Sequence, residues 1–265
     1  MDGGDFITRV LDREEPKAVL SWKEMNRLGY DAVALGEIEL RNWSLVERLI
    51  QEFPLPIVST NIERLVDGRW VPVGEKYRIL DVDGVKVGVV SAVAEDLASP
   101  LMLRDYEDRL RILPMMEELT RTLEVLSPQV DVVVLLAHMD GRTLEQQASL
   151  IQNVEVVLGG HATQDDHMPI QVSEVIVNRS GTRGQTLATT RLIISPEGQI
   201  VDFGGRNVTL EPTYKEDPQV LAAVEEVMRE TRPDTPQGPP PTAPPSPVGS
   251  RLKSEQVTPR AVEKE

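Results

Sequence analysis

The chain has 265 residues, a formal net charge of −15 and no cysteine. This length suffices for one substantial domain with an appendage, and the lack of thiols excludes disulfides, thiolate metal sites and cysteine nucleophiles. Acidic residues number 43 and basic residues 28, which disfavours nucleic acid and anionic membranes as partners, because phosphates are repelled. No apolar run reaches the roughly 18 residues of a transmembrane segment. The start of the sequence, MDGGDFITRV, has no hydrophobic signal core, so the localisation stays open.

Strand-like and helix-like segments alternate over the first 212 or so residues. In the first helical segment Ala18, Trp22 and Met25 share one face, and Gly29 is predicted to end the helix. The segments that follow are predicted as a strand DAVALG, a helix SLVERLIQEF, a strand PIVSTN, a hairpin YRILDVDGVKVGVVSAV, a helix RLRILPMMEELTRTLEVL with a kink at Pro114, a strand VDVVVLLAH, a helix TLEQQASLIQ, and the strands VEVVLGGH, EVIVNRSG and TLATTRLIIS. Continuous Val and Leu runs between helices indicate a layered α/β domain of residues 1–212.

The character of the sequence changes after this domain. Residues 213–232 are predicted to form a C-terminal helix. Residues 233–265 hold nine of the 20 prolines and no aromatic residue, so this Pro-rich tail is predicted to be disordered or polyproline-like. Its PPPTAPPSP segment has PxxP spacing, which is interpreted as part of a linker, with a docking ligand for a partner as the alternative.

Two of the three histidines follow predicted buried strands. His138 ends VDVVVLLAH and His161 ends VEVVLGGH. Ligands bind at the carboxyl ends of strands in open α/β sheets, and Asp5 in DGGDF is a third strand-end candidate. One aspartate and two histidines suit a divalent metal ion, although each histidine could instead be a hydrogen-bonded structural residue. His167, in the polar loop TQDDHMP, is predicted to be solvated.

Seven sequence blocks, taken in order, resemble those of the 5′-nucleotidase-type (calcineurin-like) metallophosphoesterases. They cover roughly residues 1–205. The blocks are DGGDF, MNRLGYDAVALGEIEL, PIVSTNI, YRILDVDGVKVGVVSAV, VDVVVLLAHMD, VEVVLGGHAT and VNRSGTRGQTLATTRLII. The resemblance implies a four-layer α/β/β/α sandwich, here lacking its first strands, in which two mixed sheets pack face to face with helices outside.

The same resemblance implies a reaction and its site. Active members hydrolyse phosphomonoesters, commonly nucleotides, with two divalent metal ions that activate water and hold the phosphoryl oxygens. Matching the blocks residue by residue puts Asp5 at the bridging carboxylate and His138 and His161 at metal-ligating histidines. The resemblance also implies a small phosphoester as substrate or ligand, and a location that is often periplasmic or extracellular.

The loop after DAVAL departs from the family pattern G-N-H-E-F-D. In that pattern Asn ligates a metal, His stabilises the reacting phosphoryl group or leaving oxygen, and Asp orients the His. Here the three positions are Glu37, Ile38 and Arg41. Glu37 could ligate a metal, since a carboxylate is a hard ligand. Ile38 donates no proton and Arg41 accepts no hydrogen bond, so the His–Asp dyad is predicted to be absent.

Further family features are missing from the sequence. The last metal-binding position falls on Thr163, a poor ligand, with Gln164 beside it. The family's first strand, which carries D-x-H, is not found. This predicts either that another segment or chain covers the exposed sheet edge, or that the natural chain starts further upstream. The C-terminal nucleotide-recognition domain of many family members is not found either. Two functional hypotheses follow, an impaired phosphoester hydrolase and a non-catalytic pseudoenzyme that binds a metal or ligand or acts as a scaffold. A third is an interaction module that docks through its tail.

Overall fold

The computed structural model describes residues 1–7, 14–97, 106, 108–161 and 165–231. The predicted disordered tail, together with Thr163 and Gln164, lies outside these residues. Within these residues six α-helices are formed: α1 Glu15–Leu28, α2 Glu37–Arg41, α3 Trp43–Glu52, α4 Met115–Leu126, α5 Gly141–Ala148 and α6 Pro218–Glu230. The strands are β1 Ile62–Val66, β2 Arg69–Pro72, β3 Tyr77–Val82, β4 Val85–Val93, β5 Leu110–Ile112, β6 Val132–His138, β7 Val156–Gly160, β8 Ile170–Val172, β9 Val175–Arg179, β10 Thr186–Ile194 and β11 Ile200–Thr209.

A six-stranded mixed sheet forms the centre of the domain. Its strand order is β3-β4-β6-β7-β9-β8, in which the inner strands β4, β6, β7 and β9 run parallel and the two outer strands pair antiparallel. Every residue of β6 is buried. A parallel strand covered on both faces needs apolar side chains on both, which is why VDVVVLLAH reads as a continuous apolar run.

Alternate residues of β6 belong to two different cores. Val133 and Leu135 point toward helices α4 and α5 and share a cluster with Leu119 and Leu144. Their neighbours in β6 face a second layer, which includes apolar residues of the β10–β11 hairpin such as Phe203. A third cluster joins α1 and α3 to the outside of that second layer. The order of layers is therefore α/β/β/α, as the sequence blocks imply.

The second β layer is less regular than the sequence predicts. The segments DAVALG and PIVSTN were expected as strands, but they pair only through isolated parallel bridges, Asp2 with Val33, Val33 with Ile57, and Val58 with Glu75. The hairpin β10–β11 forms a separate two-stranded sheet within the described residues. Strands β1, β2, β8 and β11 were not predicted.

Two local predictions are confirmed in detail. Helix α1 buries Ala18, Trp22 and Met25, and Gly29 ends it in the left-handed conformation with φ 67°. The β3–β4 hairpin turns at Asp83-Gly84, whose φ angles of 53° and 88° are both positive, as a type I′ turn requires.

The helix predicted over RLRILPMMEELTRTLEVL is wrong in its first part. Leu110–Ile112 forms strand β5 and pairs antiparallel with β1, and the helix begins only at Met115, with Pro114 at its N-cap. Proline disfavours helical geometry in the residue before it, so the segment upstream is free to pair with a strand. The helix predicted over TLEQQASLIQ also ends earlier, at Ala148.

Helix α6 lies against helix α1. Its N-terminus is capped by Asp217, whose carboxylate accepts the N–H groups of Gln219 and Val220. In the described part of the chain, no helix combines the length and apolar character that crossing a bilayer requires.

Candidate metal centre

Four side chains that the sequence singles out meet at one end of the six-stranded sheet. Asp5, Glu37, His138 and His161 each offer one ligand atom, and these atoms all lie within 4.8 Å of one another. His138 ends β6 and pairs in register with Gly160, the last residue of β7. Because these neighbouring strands are parallel, the histidine at the end of one and the histidine just after the other reach the same sheet edge.

Glu37 closes the group from the side of helix α2. Its Oε2 atom lies 2.7 Å from Nε2 of His138 and 3.2 Å from Nδ1 of His161. Oδ2 of Asp5 lies 3.5 Å from the same two nitrogen atoms. The two carboxylates therefore face the two imidazoles at distances between 2.7 and 3.5 Å.

The His138 ring is fixed by a contact on its far side. The side chain is 0% exposed, and Nδ1 lies 2.7 Å from the carbonyl oxygen of Gly3. A carbonyl oxygen only accepts hydrogen bonds, so Nδ1 carries a proton and donates it. Nε2 is thereby directed at the carboxylates, the arrangement that orients a metal-ligating histidine.

The carboxylates control the charge of His138. Burial alone would lower the pKa of His138, but hydrogen bonds to Asp5 and Glu37 outweigh burial and raise the pKa to about 10. Burial likewise acts to raise the pKa of Asp5, yet the same imidazole lowers it to about 2. In the ion-free molecule a proton thus balances part of the negative charge of the centre.

The backbone around the centre is constrained. Asp5 and His161 both have left-handed φ angles, 62° and 53°, which are unfavourable for residues with a β-carbon. Gly36 lies so close that a β-carbon there would overlap the Asp5 carboxylate and the His138 ring. These features show that the loops hold the ligand side chains in one arrangement.

One buried acid next to the centre was missed in the sequence. Glu39 is 0% exposed, and its carboxylate accepts the N–H groups of Asp5, Ile7 and Gly36. Burial and the nearby Asp5 raise the pKa of Glu39 to about 7, against these three hydrogen bonds. The signal that could have found it is the acid three residues after an N-cap position, the spacing of a capping box.

The remaining predicted positions lie around this group or outside the described residues. Ile38 is half-buried and packs against the apolar cluster of α1 and α3, while Arg41 is exposed at the end of α2. Thr163 lies outside the described residues. His167 is 86% exposed and does not join the group, as its polar loop predicts.

A separate cavity lies at the opposite end of the same strands. It has a volume of about 520 Å³ and is lined in part by Asp131, Glu155, Glu174 and Asp202. These carboxylates would repel a phosphate or another anion. The strand ends that carry the histidines are therefore the better candidate for a phosphoester site.

Comparison with known proteins agrees with this fold, although no protein-family model matches the chain. The 5′-nucleotidase of Bos taurus is 26% identical over 229 residues, which cover 76% of this chain. The solved 5′-nucleotidase precursor of Thermus thermophilus superposes with a TM-score of 0.71 at 19% identity, over 86% of this chain and 48% of its own. The calcineurin-like phosphoesterase YfkN of Bacillus subtilis superposes with a TM-score of 0.65 at 17% identity, over 87% and 82% of the two chains.

The chain is thus similar in sequence to curated 5′-nucleotidases and has the fold of the solved 5′-nucleotidase and calcineurin-like phosphoesterase structures. It spans 38% of the length of the bovine relative. The described residues thus form a domain with the fold of these phosphoesterases, with a group of side chains that could hold a metal ion.

Proposed function

We propose that this domain binds a divalent metal ion through Asp5, Glu37, His138 and His161 and hydrolyses a small phosphoester there, at a rate lowered by the residues at positions 38 and 41. The observation that carries the proposal is the convergence of four ligand atoms within 4.8 Å. A nucleotide or another phosphomonoester is the proposed substrate class, because the matching curated relatives are 5′-nucleotidases.

The donor set fits a divalent ion. Two carboxylate oxygens and two imidazole nitrogens suit Zn²⁺, Mn²⁺ or Fe²⁺ better than Ca²⁺, which prefers oxygen ligands alone. Two ionised carboxylates also balance the charge of a divalent cation. The side chains of Asp5, Glu37 and His161 remain 18%, 10% and 32% exposed, so an ion and a ligand can reach them.

A bound ion would supply Lewis-acid polarisation of a phosphoryl oxygen and a water of lowered pKa. Around it, the chain's own residues orient and hold the ligand atoms. Gly3 fixes the His138 ring through Nδ1, and the N–H group of Ile38 binds Oδ1 of Asp5, which leaves Oδ2 directed at the centre. The hydrocarbon side chain of Ile38 offers no proton to a leaving group, so position 38 contributes no acid catalysis to the rate.

A non-catalytic role, in which the centre only binds a metal or ligand, is the second candidate. The observation that favours it is the occupation of the two dyad positions by Ile38 and Arg41. Loss of one electrostatic group from an active site typically costs about 10²–10³ in rate. The two candidates share the metal site and differ only in turnover.

Metal-dependent turnover tests the proposal. Purified protein loaded with Mn²⁺ or Zn²⁺ is expected to hydrolyse AMP or p-nitrophenyl phosphate slowly, to lose this activity with EDTA and to regain it with the ion. Metal content is measured in the same samples by mass spectrometry. A protein that holds stoichiometric metal and still shows no turnover would support the non-catalytic role instead.

Metal binding is expected to release about one proton at pH 7, because the raised pKa of His138, about 10, keeps its imidazole protonated in the ion-free protein. Metal affinity should therefore rise with pH, close to tenfold per unit while that proton is bound. The stability of the ion-free protein depends on pH in the opposite direction. The contribution of protonated His138 to that stability is complete below about pH 6.5 and is lost as pH rises through about 10.

Calorimetric titration of Mn²⁺ in two buffers of different ionisation enthalpy measures the proton release. His167→Ala is the matched control, because its exposed imidazole lies outside the centre and should leave the proton count unchanged. An observed enthalpy that is the same in both buffers would contradict the expected exchange of a proton for the metal.

A further inference from the structure

One buried carboxylate, that of Glu39, links the loop that carries Asp5 to the segment that leads into helix α2. Oε2 of Glu39 lies 2.8 Å from the backbone nitrogen of Asp5 and 2.8 Å from that of Gly36, and Oε1 lies 3.0 Å from the nitrogen of Ile7. Among the described residues, these three N–H groups are the hydrogen-bond partners of the Glu39 carboxylate. They come from the two segments that supply the carboxylates of the metal centre.

A second carboxylate makes the opposite link. Oδ1 of Asp5 accepts the N–H group of Ile38 at 2.9 Å, while Oδ2 faces His138 and His161. Each segment thus gives a carboxylate to the backbone of the other. This pair of links sets the distance between Asp5 and helix α2, whose first residue is Glu37.

Glu39 also supports an unfavourable backbone conformation. Asp5 has φ 62°, a region that residues with a β-carbon rarely adopt. The N–H groups of Asp5 and Ile7, on either side of Phe6, converge on the same carboxylate, which is how a turn of this kind binds an anion. Without the Glu39 carboxylate, these two N–H groups would have no hydrogen-bond acceptor among the described residues.

We infer that Glu39 is a positioning residue of the metal centre, whose buried carboxylate holds the Asp5 loop in register with the helix that presents Glu37. The inference rests on the proposed metal site, because its consequence is the placement of two of the four ligand atoms. Among the described residues, the Glu39 carboxylate accepts hydrogen bonds from backbone N–H groups and from no proposed ligand side chain.

The test compares Glu39→Gln with Glu118→Gln in the full chain. An amide keeps the shape of the carboxylate but turns one acceptor into a donor, so it cannot accept all three N–H groups. Glu118 is the matched control, because it is also buried, at 5% exposure, and its partners Lys76 and Arg121 lie outside the centre. The readouts are Mn²⁺ affinity by calorimetry, thermal unfolding, and amide hydrogen exchange of the ion-free protein.

Glu39→Gln is expected to weaken Mn²⁺ binding by about 10- to 100-fold, the usual effect of losing a group that orients metal ligands. It should also speed exchange at the amides of Asp5, Ile7 and Gly36 by about tenfold, while the amides of β6 keep their protection. Glu118→Gln should lower the unfolding temperature and leave Mn²⁺ affinity unchanged.

Two results would overturn the inference. One is Mn²⁺ affinity in Glu39→Gln equal to that of the unaltered protein, and the other is equal weakening in Glu39→Gln and Glu118→Gln. If the unaltered protein binds no Mn²⁺ or Zn²⁺, the proposed metal site is rejected. The amide hydrogen exchange data alone then decide whether Glu39 positions the Asp5 loop. Unchanged protection of the three amides in Glu39→Gln would reject the positioning role, and selective loss of protection would support it.

Discussion

Replacing His138 with alanine is expected to lower the affinity for Mn²⁺ or Zn²⁺ by at least about 100-fold, more than the loss of an outer orienting group costs. His138 is the most buried of the four proposed ligands, and its Nε2 lies 2.7 Å from Oε2 of Glu37 and 3.5 Å from Oδ2 of Asp5. Its removal leaves only three metal-ligating side chains and deprives the two like-charged carboxylates of one of their two imidazole partners. Calorimetric titration measures the affinity, and the metal-induced rise in unfolding temperature should disappear with it.

His167→Ala is the control for this experiment. Its imidazole is 86% exposed, with the Asp165 carboxylate 3.7 Å away, so its loss should change neither the affinity nor the metal-induced rise in unfolding temperature. Circular dichroism of His138→Ala checks that the domain still folds. If folded His138→Ala kept the full metal-induced rise, the ion would have to bind elsewhere, and the four-residue centre would be rejected.

Placing the His and Asp of the family pattern at positions 38 and 41 is expected to raise the rate of the proposed phosphoester hydrolysis by about 10²–10³, the usual value of one well-placed electrostatic group. The variant is Ile38→His combined with Arg41→Asp. The N–H group of Ile38 already contacts the Asp5 carboxylate, so a side chain at position 38 starts next to the centre. An imidazole there could donate to the reacting phosphoryl group, and a carboxylate at position 41, one helical turn on, could orient it. The measurement is kcat/KM for p-nitrophenyl phosphate with Mn²⁺.

Two further variants separate this effect from general changes in the helix. Ile38→Leu with Arg41→Asp carries the same new charge without a proton donor and should keep the original rate. Adding His138→Ala to the restored dyad should remove the gain, because the gain depends on the metal. A restored variant that binds metal but hydrolyses no faster than the original chain would show that the two substitutions do not limit the reaction.

The proposed ligands differ in how far the sequence could predict them. His138 and His161 follow apolar strand runs, a local pattern that places them at the sheet edge before any contact is known. Glu37 is different, because only its position in the family pattern singled it out, and nothing in the local sequence GEIEL distinguishes it from a solvated glutamate. Its contact with His138 joins residues 101 positions apart, and only the packing of helix α2 against the end of β6 creates it. Glu39 was missed for the same reason, since its partner Asp5 lies 34 positions away.

Local interactions account for what the sequence determined by itself. The face and end of helix α1 follow from side-chain periodicity and Gly29, and the β3–β4 turn follows from Asp83-Gly84, because each depends on residues a few positions apart. The tertiary structure decided the elements whose partners are distant. Leu110–Ile112 has a helix-compatible sequence, yet it is a strand because β1 supplies its backbone hydrogen bonds. The centre has the same origin, since its donor atoms come from four separate segments that only the folded sheet and loops bring within reach of one ion.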